Sequence, residues 1–262
     1  MNKNLKGLHL KAFFLLILSS CSLIGPSEDP RQSLNKKLVV ESQLELSNHL
    51  RSLGQDYVNN LGKGGMISLS SRSREYLVQL HERITSNNEL LFQSYSKPTF
   101  FIVNEKEPFH FSLPGGIYFI SKGLIRRYLA NEDLLVAVMA SEIFRSEKGV
   151  YEKKVIVPIG TVDTGQILSI VRLPVSMRAE VNKWTYLLMK RSAFDPGALL
   201  NLIQLKNKNA LDFAATVGNI STISREEFNF KNFLSKTSNE NDISVVEKNS
   251  SRGFYSLRRD VE

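Results

Sequence analysis

Three polar residues near the middle of the chain have the spacing of a helical metal site. Ser141, Glu142 and Arg145 follow an apolar run at 134–140. Positions four apart share one face of a helix, so ligands at 141 and 145 could hold a metal ion beside a general base at 142. A serine hydroxyl is a poor zinc ligand, and a guanidinium has only donors. The triple therefore argues against zinc and favours an ion pair between Glu142 and Arg145.

The helix that carries this triple has a clear start. Asn131 is a good N-cap, and Glu132 and Asp133 place negative charge in the first turn, where the helix dipole favours it. Every residue from 134 to 140 is apolar, which predicts a helix buried on most sides. Burial makes the polar triple costly unless its members satisfy one another.

The elements around this helix indicate an α+β fold, mostly helical, with a small β-sheet beside the Glu142 helix. Two apolar and aromatic runs, 99–103 and 117–120, predict strands, and the segment 105–114 must turn the chain between them. Gly115 and Gly116 supply permissive backbone before the second strand. Helical periodicity is present in three further segments, at 38–61, 71–85 and 175–192.

A longer series of motifs surrounds the triple. It consists of Leu-Pro-Gly-Gly at 113–116, Gly-Leu at 123–124, Asn-Glu-Asp-Leu-Leu at 131–135 and Phe-Asp-Pro at 194–196. In this order the chain resembles the zinc metalloendopeptidase family of the CAAX prenyl protease, HtpX and BepA, which is of the His-Glu-x-x-His gluzincin type. The resemblance spans roughly residues 40–247 and implies a metallopeptidase-like (zincin) domain at 38–247.

The resemblance also assigns roles to the polar triple. Glu142 matches the family's general base, while Ser141 and Arg145 stand where the family has its two histidines. Counting back from Asp-Pro places the third ligand on Arg178, and a shift of one or two residues would place it on Glu180. The chain is thus expected to be a degenerate member with no cofactor, in which Arg178 approaches Glu142 from the later helix. Zinc is expected only if Glu142 and Glu180 act as unconventional ligands.

The second strand is a candidate peptide-binding element. In the family this strand is an edge along which an extended substrate lies, and a strand edge offers unpaired backbone groups to a peptide. The residues that the resemblance assigns to this role are Gly115, Gly116, Ile117, Tyr118 and Phe119. The alternative is a purely structural strand under the helix.

The N-terminus resembles a bacterial lipoprotein signal. Three lysines precede an apolar run at 12–18, and Leu-Ser-Ser-Cys ends at Cys21, the sole cysteine of the chain. We expect a signal peptide at 1–20, lipidation of Cys21, a tether at 21–37 and a polar mobile tail at 248–262. The alternative is an ordinary signal peptide or a short anchor with an incidental cysteine. By resemblance to the sorting rule of Gram-negative lipoproteins, Ser22 after the cysteine is compatible with the periplasmic face of the outer membrane, because it is not aspartate.

The net charge of the chain indicates which classes of binding partner to expect. The formal charge is +8, and it is +5 without residues 1–20, which hold three lysines and no acid. The basic residues are scattered, so nucleic acid is not an expected partner. The expected partners are the lipid bilayer, through Cys21, and polypeptide clients or envelope proteins.

These observations together predict a non-catalytic, lipid-anchored envelope protein. Its expected work is that of a polypeptide-binding, chaperone-like or adaptor factor in envelope or outer-membrane protein assembly and quality control. One alternative is an active metalloendopeptidase with unconventional ligands. Another is a purely structural lipoprotein.

The lipoprotein signal generates the first testable prediction. Replacing Cys21 by alanine removes the acylated thiol, and stable membrane attachment requires more than one lipid chain. We expect the parent protein to fractionate with membranes and Cys21→Ala to remain unprocessed or become soluble, while Ser22→Ala behaves like the parent. Cell fractionation with immunoblotting measures this. Identical processing and partitioning of Cys21→Ala and the parent would contradict lipidation.

Overall fold

The computed structural model of this protein describes residues 43–92, 95–152, 162–237 and 250–262, which lie in the compact unit Val40–Glu262. The described helices are α1 Gln43–Leu61, α2 Ser71–Ser86, α3 Lys122–Arg127, α4 Glu132–Lys148, α5 Thr164–Val171, α6 Val175–Arg191, α7 Gly197–Lys208, α8 Ala214–Val217, α9 Ser221–Thr237 and α10 Arg252–Asp260. The described strands are β1 Met66–Ile67, β2 Thr99–Val103, β3 His110–Leu113 and β4 Ile117–Ser121. The predicted α+β class, mostly helical with a small sheet, is confirmed for these residues.

The sheet is mixed and has the order β1-β2-β4-β3. β2 and β4 are parallel, while β3 and β4 form an antiparallel hairpin in which Leu113 pairs with Ile117. Gly115 and Gly116 close this hairpin with φ values of 89° and 76°, which is the backbone region that favours glycine. The permissive turn predicted before β4 is therefore present. The segment 105–114 does more than turn the chain, because it also contains β3.

The prediction that β4 is a peptide-binding edge is wrong. β4 pairs along its length with β2 on one side and β3 on the other. Its backbone groups are therefore engaged within the sheet, and Tyr118 and Phe119 are buried. Of the described strands, β1 and β3 are the outermost ones. A peptide cannot add to Ile117, Tyr118 or Phe119 without displacing a strand.

The two faces of the sheet pack against different helices because successive side chains of a strand point to opposite sides. Phe111 and Phe119 face α1, and their rings stack with centroids 4.5 Å apart beside the ring of Tyr57. Tyr118 and Ile120 belong instead to the core that contains α2 and α4. The sheet thus separates two apolar clusters, and α4 lies on the opposite side of the sheet from α1.

Helix α4 is the centre of the larger core. Its N-cap is the predicted Asn131, whose side chain accepts a hydrogen bond from the backbone N–H of Leu134. The residues 134–140 are all buried, as the apolar run predicted, and α4 packs against α2, α6, α7 and β3. A helix surrounded in this way carries Glu142, Arg145 and Ser146 into the interior, while Lys148 at its end is exposed.

The prediction of a mobile polar tail is wrong for the described residues 250–262. Helix α10 packs on α2 and buries Phe254, Leu257 and Val261, whose spacing of three and four residues defines one apolar face. The Asp260 carboxylate accepts hydrogen bonds from the backbone N–H and the hydroxyl of Ser70, at 2.8 and 2.7 Å. The segment is polar on average, and for that reason its short apolar stripe was not recognised from composition.

Several sequence-based predictions lie outside the described residues. They are the signal peptide 1–20, the lipidated Cys21, the tether 21–37 and the part of the tail before residue 250. Among the helices of the described ranges, none combines the length and apolar character needed to cross a bilayer.

The packing of α10 can be tested with two adjacent substitutions. Phe254 is fully buried whereas Tyr255 is 60% exposed. We expect Phe254→Ala to lower the free energy of unfolding by about 3–5 kcal/mol, because it leaves a cavity in the core. Tyr255→Ala is the matched control and should change it by less than about 0.5 kcal/mol. Chemical denaturation of the two variants measures the difference, and equal stability of both with the parent would favour a mobile tail.

Candidate functional site

The Glu142 carboxylate is buried and surrounded by donors. Its Oε2 accepts a hydrogen bond from the Ser112 hydroxyl at 2.7 Å, and its Oε1 lies 2.7 Å from Nδ1 of His110. Nη1 of Arg145 is 3.1 Å from both oxygens. The predicted ion pair between Glu142 and Arg145 is therefore confirmed. Both oxygens of the carboxylate are engaged by the protein itself.

Two elements bring these groups together. Helix α4 places Arg145 one turn beyond Glu142. Strand β3 alternates polar and apolar side chains, so that His110 and Ser112 face α4 while Phe111 and Leu113 belong to the cluster with α1. The polar face of β3 thus supplies hydrogen-bond partners to the buried Glu142 carboxylate.

His110 connects Glu142 to a lysine. Nζ of Lys206, on α7, lies 2.8 Å from Nε2 of His110. A carboxylate is an acceptor and an ammonium is a donor, so the arrangement suits a neutral imidazole that donates from Nδ1 to Glu142 and accepts at Nε2 from Lys206. Burial and the charge of Lys206 lower the pKa of His110, which supports the neutral form.

The environment keeps Glu142 ionised. Burial alone pushes its pKa upward, but the charge of Arg145 and the hydrogen bonds from His110 and Ser112 outweigh that effect and lower the pKa to about 2. A general base works best when its pKa lies near the working pH and an oxygen is available for the reacting proton. Glu142 satisfies neither condition, so its geometry suits an ion-pair partner.

A second ion pair lies in the same cavity. Nη1 of Arg178, on α6, is 3.3 Å from Oε2 of Glu226, on α9, and Nη2 donates to the hydroxyl of Thr222 at 2.7 Å. The amide of Asn182 donates to Oε1 of Glu226 at 2.9 Å. The hypothesis that Arg178 pairs with Glu142 is therefore wrong, because the carboxylate nearest its guanidinium is supplied by α9.

The structure separates the two candidates for the third-ligand position. Arg178 lines the cavity together with Ser141, Glu142 and Arg145. The Glu180 side chain is 56% exposed and accepts hydrogen bonds from Lys183 and Trp184 instead. Glu180 therefore lies outside the cavity and cannot join Glu142 as a ligand without rearrangement.

The residues at the family's ligand positions do not fit a zinc ion. Arg145 and Arg178 present guanidinium groups, which are cationic donors and repel a metal cation. The Glu142 oxygens already accept hydrogen bonds from three side chains. Within the described residues, no group of three or more His, Cys, Asp or Glu side chains has the geometry of a metal site. The chemistry of this donor set suits an anion better than a cation.

The cavity itself has a volume of about 80 Å³ and opens to solvent. Its walls come from β3 and from helices α4 to α9. Part of the wall is polar: it holds the charged groups together with His110, Ser141, Asn182 and Thr216. Leucine, isoleucine and valine side chains, most of them on helices α5 to α9, form the rest. The arrangement is that of a small ligand pocket with convergent polar groups.

Comparison with known proteins adds no identity. No family model matches the chain, and no curated protein matches it.

Sequence reasoning missed several residues of the cavity and of the Glu142 cluster. His110, Ser112, Lys206 and Glu226 were not proposed for the site, since they lie far along the chain from the polar triple. The alternation of polar and apolar residues at 110–113 was a usable signal, because it predicts a strand with one polar face. Lys206 and Glu226 carry no comparable local signal.

The Glu142 cluster generates a stability prediction. Glu142→Gln leaves Arg145 buried without its charge partner, so we expect the free energy of unfolding to fall by about 3–5 kcal/mol. Glu180→Gln is the matched control and should have little effect, because that side chain is exposed. Chemical denaturation of both variants at neutral pH measures this. Equal stability of Glu142→Gln and the parent would show that the ion pair is dispensable.

The pH dependence checks the same ion pair. A carboxyl whose pKa is lowered from 4.5 to about 2 stabilises the folded state above pH 4.5, and this contribution is lost as the pH falls towards 2. We expect the difference in stability between the parent and Glu142→Gln to shrink over that interval. A difference that stays constant between pH 5 and 2.5 would contradict the assignment.

Proposed function

We propose that this protein is a lipid-anchored component of the cell envelope whose metallopeptidase-like domain binds polypeptides without hydrolysing them. In this proposal Cys21 anchors the chain to the periplasmic face of the outer membrane. The domain then works as a chaperone-like or adaptor factor in the assembly and quality control of envelope proteins. The metallopeptidase-like ancestry rests on the motifs at 113–145 and 194–196.

One observation supports the proposal that the domain is not catalytic: both oxygens of Glu142 are hydrogen-bonded to other side chains. A peptidase of the resembled type needs this carboxylate free to take a proton from a metal-bound water. Here Arg145, His110 and Ser112 hold both of its oxygens. Freeing the carboxylate would leave Arg145 buried and unpaired, which opposes any such rearrangement.

The polypeptide contact in this proposal uses the cavity in place of β4. β4 has no unpaired edge, whereas the cavity opens to solvent between β3 and helices α4 to α9. Its mixture of apolar walls and cationic groups suits a polypeptide segment with an apolar side chain and a negative charge. Thr216 is a partly exposed residue of its lining.

Photo-crosslinking in cells tests the proposed binding. We expect a photoreactive residue at Thr216 to capture a reproducible set of envelope polypeptides, because Thr216 lines the cavity. The same residue at Leu44, which is 71% exposed on α1, should not capture that set, because α1 packs on the opposite face of the sheet. Capture of no polypeptide from Thr216 in the folded protein would favour a purely structural lipoprotein.

Elemental analysis and a peptidase assay of the purified protein complete the test. We expect no stoichiometric zinc and no peptide hydrolysis that depends on Glu142. Stoichiometric zinc, or a peptidase activity that Glu142→Gln abolishes, would overturn the non-catalytic proposal and favour the endopeptidase.

A further inference from the structure

Three side chains of the cavity form a hydrogen-bonded relay that ends on an amine. Oε1 of Glu142 lies 2.7 Å from Nδ1 of His110, and Nε2 of His110 lies 2.8 Å from Nζ of Lys206. The three residues come from α4, β3 and α7, and all of them line the cavity. An imidazole that contacts a nucleophile through one nitrogen and a carboxylate through the other is the arrangement that activates nucleophiles in hydrolytic enzymes. In this relay the group in the position of the nucleophile is a primary amine.

Glu142 has the properties that the carboxylate of such a relay needs. Its pKa of about 2 keeps it ionised at neutral pH. An ionised carboxylate at Nδ1 fixes the tautomer of His110 in which Nε2 can accept a proton. The low pKa and the full engagement that make Glu142 unsuitable as a general base therefore suit it to orient His110.

Lys206 has no ion-pair partner within the described ranges. Glu142 is paired with Arg145 and Glu226 with Arg178, so arginines engage both acids of the cavity. Burial is the main cause of a lowered pKa at Lys206; the two carboxylates oppose this shift and the two guanidinium groups add to it. A lysine with a lowered pKa is a neutral amine more of the time, and the neutral amine is the nucleophilic form.

The cavity offers space beside this amine for a small apolar molecule. It opens to solvent, and Lys206 is partly exposed. Its volume of about 80 Å³ has room for roughly five to eight water molecules, because one water needs about 10–15 Å³. The aliphatic part of the wall includes Leu168, Leu173, Val181, Ile203, Val217 and Ile223. A short alkyl chain matches both this volume and this wall.

We propose that the relay of Glu142, His110 and Lys206 makes Lys206 a nucleophile that captures short aliphatic aldehydes as an imine. The lone pair of Nζ attacks the carbonyl carbon, and the π electrons of the C=O bond move to the oxygen. The two N–H protons pass one after the other through Nε2 of His110 to this oxygen, which leaves as water when the C=N bond forms. An aldehyde and an amine thus give an imine and water, and no further reactant is needed. This activity goes beyond polypeptide binding and does not rest on it.

Reductive trapping of the full chain in detergent micelles tests the capture. Butanal and sodium cyanoborohydride at pH 7 convert an imine into a stable butylamine, which peptide mass spectrometry locates. We expect Lys206 to be labelled at least about tenfold faster than Lys183, because each unit by which a lysine pKa falls raises the neutral fraction about tenfold. Lys183 is the reference because its side chain is 45% exposed. Equal or slower labelling of Lys206 in the folded protein would overturn the proposal.

A substitution of the imidazole tests the relay. His110→Gln keeps a polar side chain but cannot carry a proton, so labelling of Lys206 should fall about tenfold or more while that of Lys183 stays the same. The matched control is His49→Gln, because His49 is on α1, on the opposite face of the sheet, and does not line the cavity. Circular dichroism checks that both variants fold. Unchanged labelling of Lys206 in folded His110→Gln would overturn the proposal.

The pH dependence of labelling requires no substitution, so it decides the matter even if His110→Gln does not fold. A lysine whose pKa is lowered becomes a neutral amine at a lower pH than an ordinary exposed lysine. The labelling ratio of Lys206 to Lys183 should therefore be largest near pH 7 and shrink as the pH rises towards 10.5. The other titratable and charged groups that line the cavity in the described ranges are His110, Glu142, Arg145, Arg172, Arg178 and Glu226. A ratio that stays constant over this interval would overturn the proposal.

Trapping and crosslinking give separable results. If crosslinking from Thr216 captures polypeptides and Lys206 is not labelled preferentially, aldehyde capture fails while polypeptide binding stands. If Lys206 is labelled preferentially and Thr216 captures no polypeptide, aldehyde capture stands and polypeptide binding fails.

Discussion

The fold depends on compensating one buried carboxylate. Glu142 lies in the last two turns of a helix that is surrounded by other elements, and it is only 3% exposed. An ionised carboxylate in such a place is tolerated only with charge and hydrogen-bond partners. Arg145 supplies the charge, and His110 and Ser112 of β3 supply the hydrogen bonds. The position of β3 against α4 therefore does two things. One face of the strand buries apolar side chains against α1, and the other face supplies hydrogen-bond donors to Glu142.

The need to pair buried charges also applies to the helices on the other side of the cavity. Lys206 joins α7 to β3 through His110, and Arg178 joins α6 to α9 through Glu226. Of the three positions where the resembled peptidases would hold a metal, two carry the cations Arg145 and Arg178, and each of these has its own acidic partner. Such a wall is internally bonded, although the buried Nε atoms of Arg145 and Arg178 have no hydrogen-bond partner within the part of the chain that the structure describes. Guanidinium groups at these positions repel a metal cation.

A resemblance in sequence motifs does not determine activity, because activity resides in the site. The hairpin with two left-handed glycines, the buried central helix and the Asp-Pro start of α7 are compatible with the resembled family, but they position side chains of different chemistry. The pairing of β4 on both sides also removes the simplest route to a bound peptide. The cavity and its charges are therefore the better guide to a ligand, and the resemblance contributes only the expectation of a peptidase-like domain.

The sequence by itself determined the local elements of this protein. The cap at Asn131, the apolar run of α4 and the ion pair of Glu142 with Arg145 follow from contacts within four residues of one another, which helix geometry dictates. The tertiary structure decided the strand order, the placement of the polar face of β3 against Glu142, the docking of α10 and the Arg178–Glu226 pair. They depend on groups far apart in the chain, such as His110 and Lys206 at a separation of 96 residues. A periodic pattern states which face of an element is apolar, but it does not state which distant element will cover that face or which distant charge will neutralise a buried one.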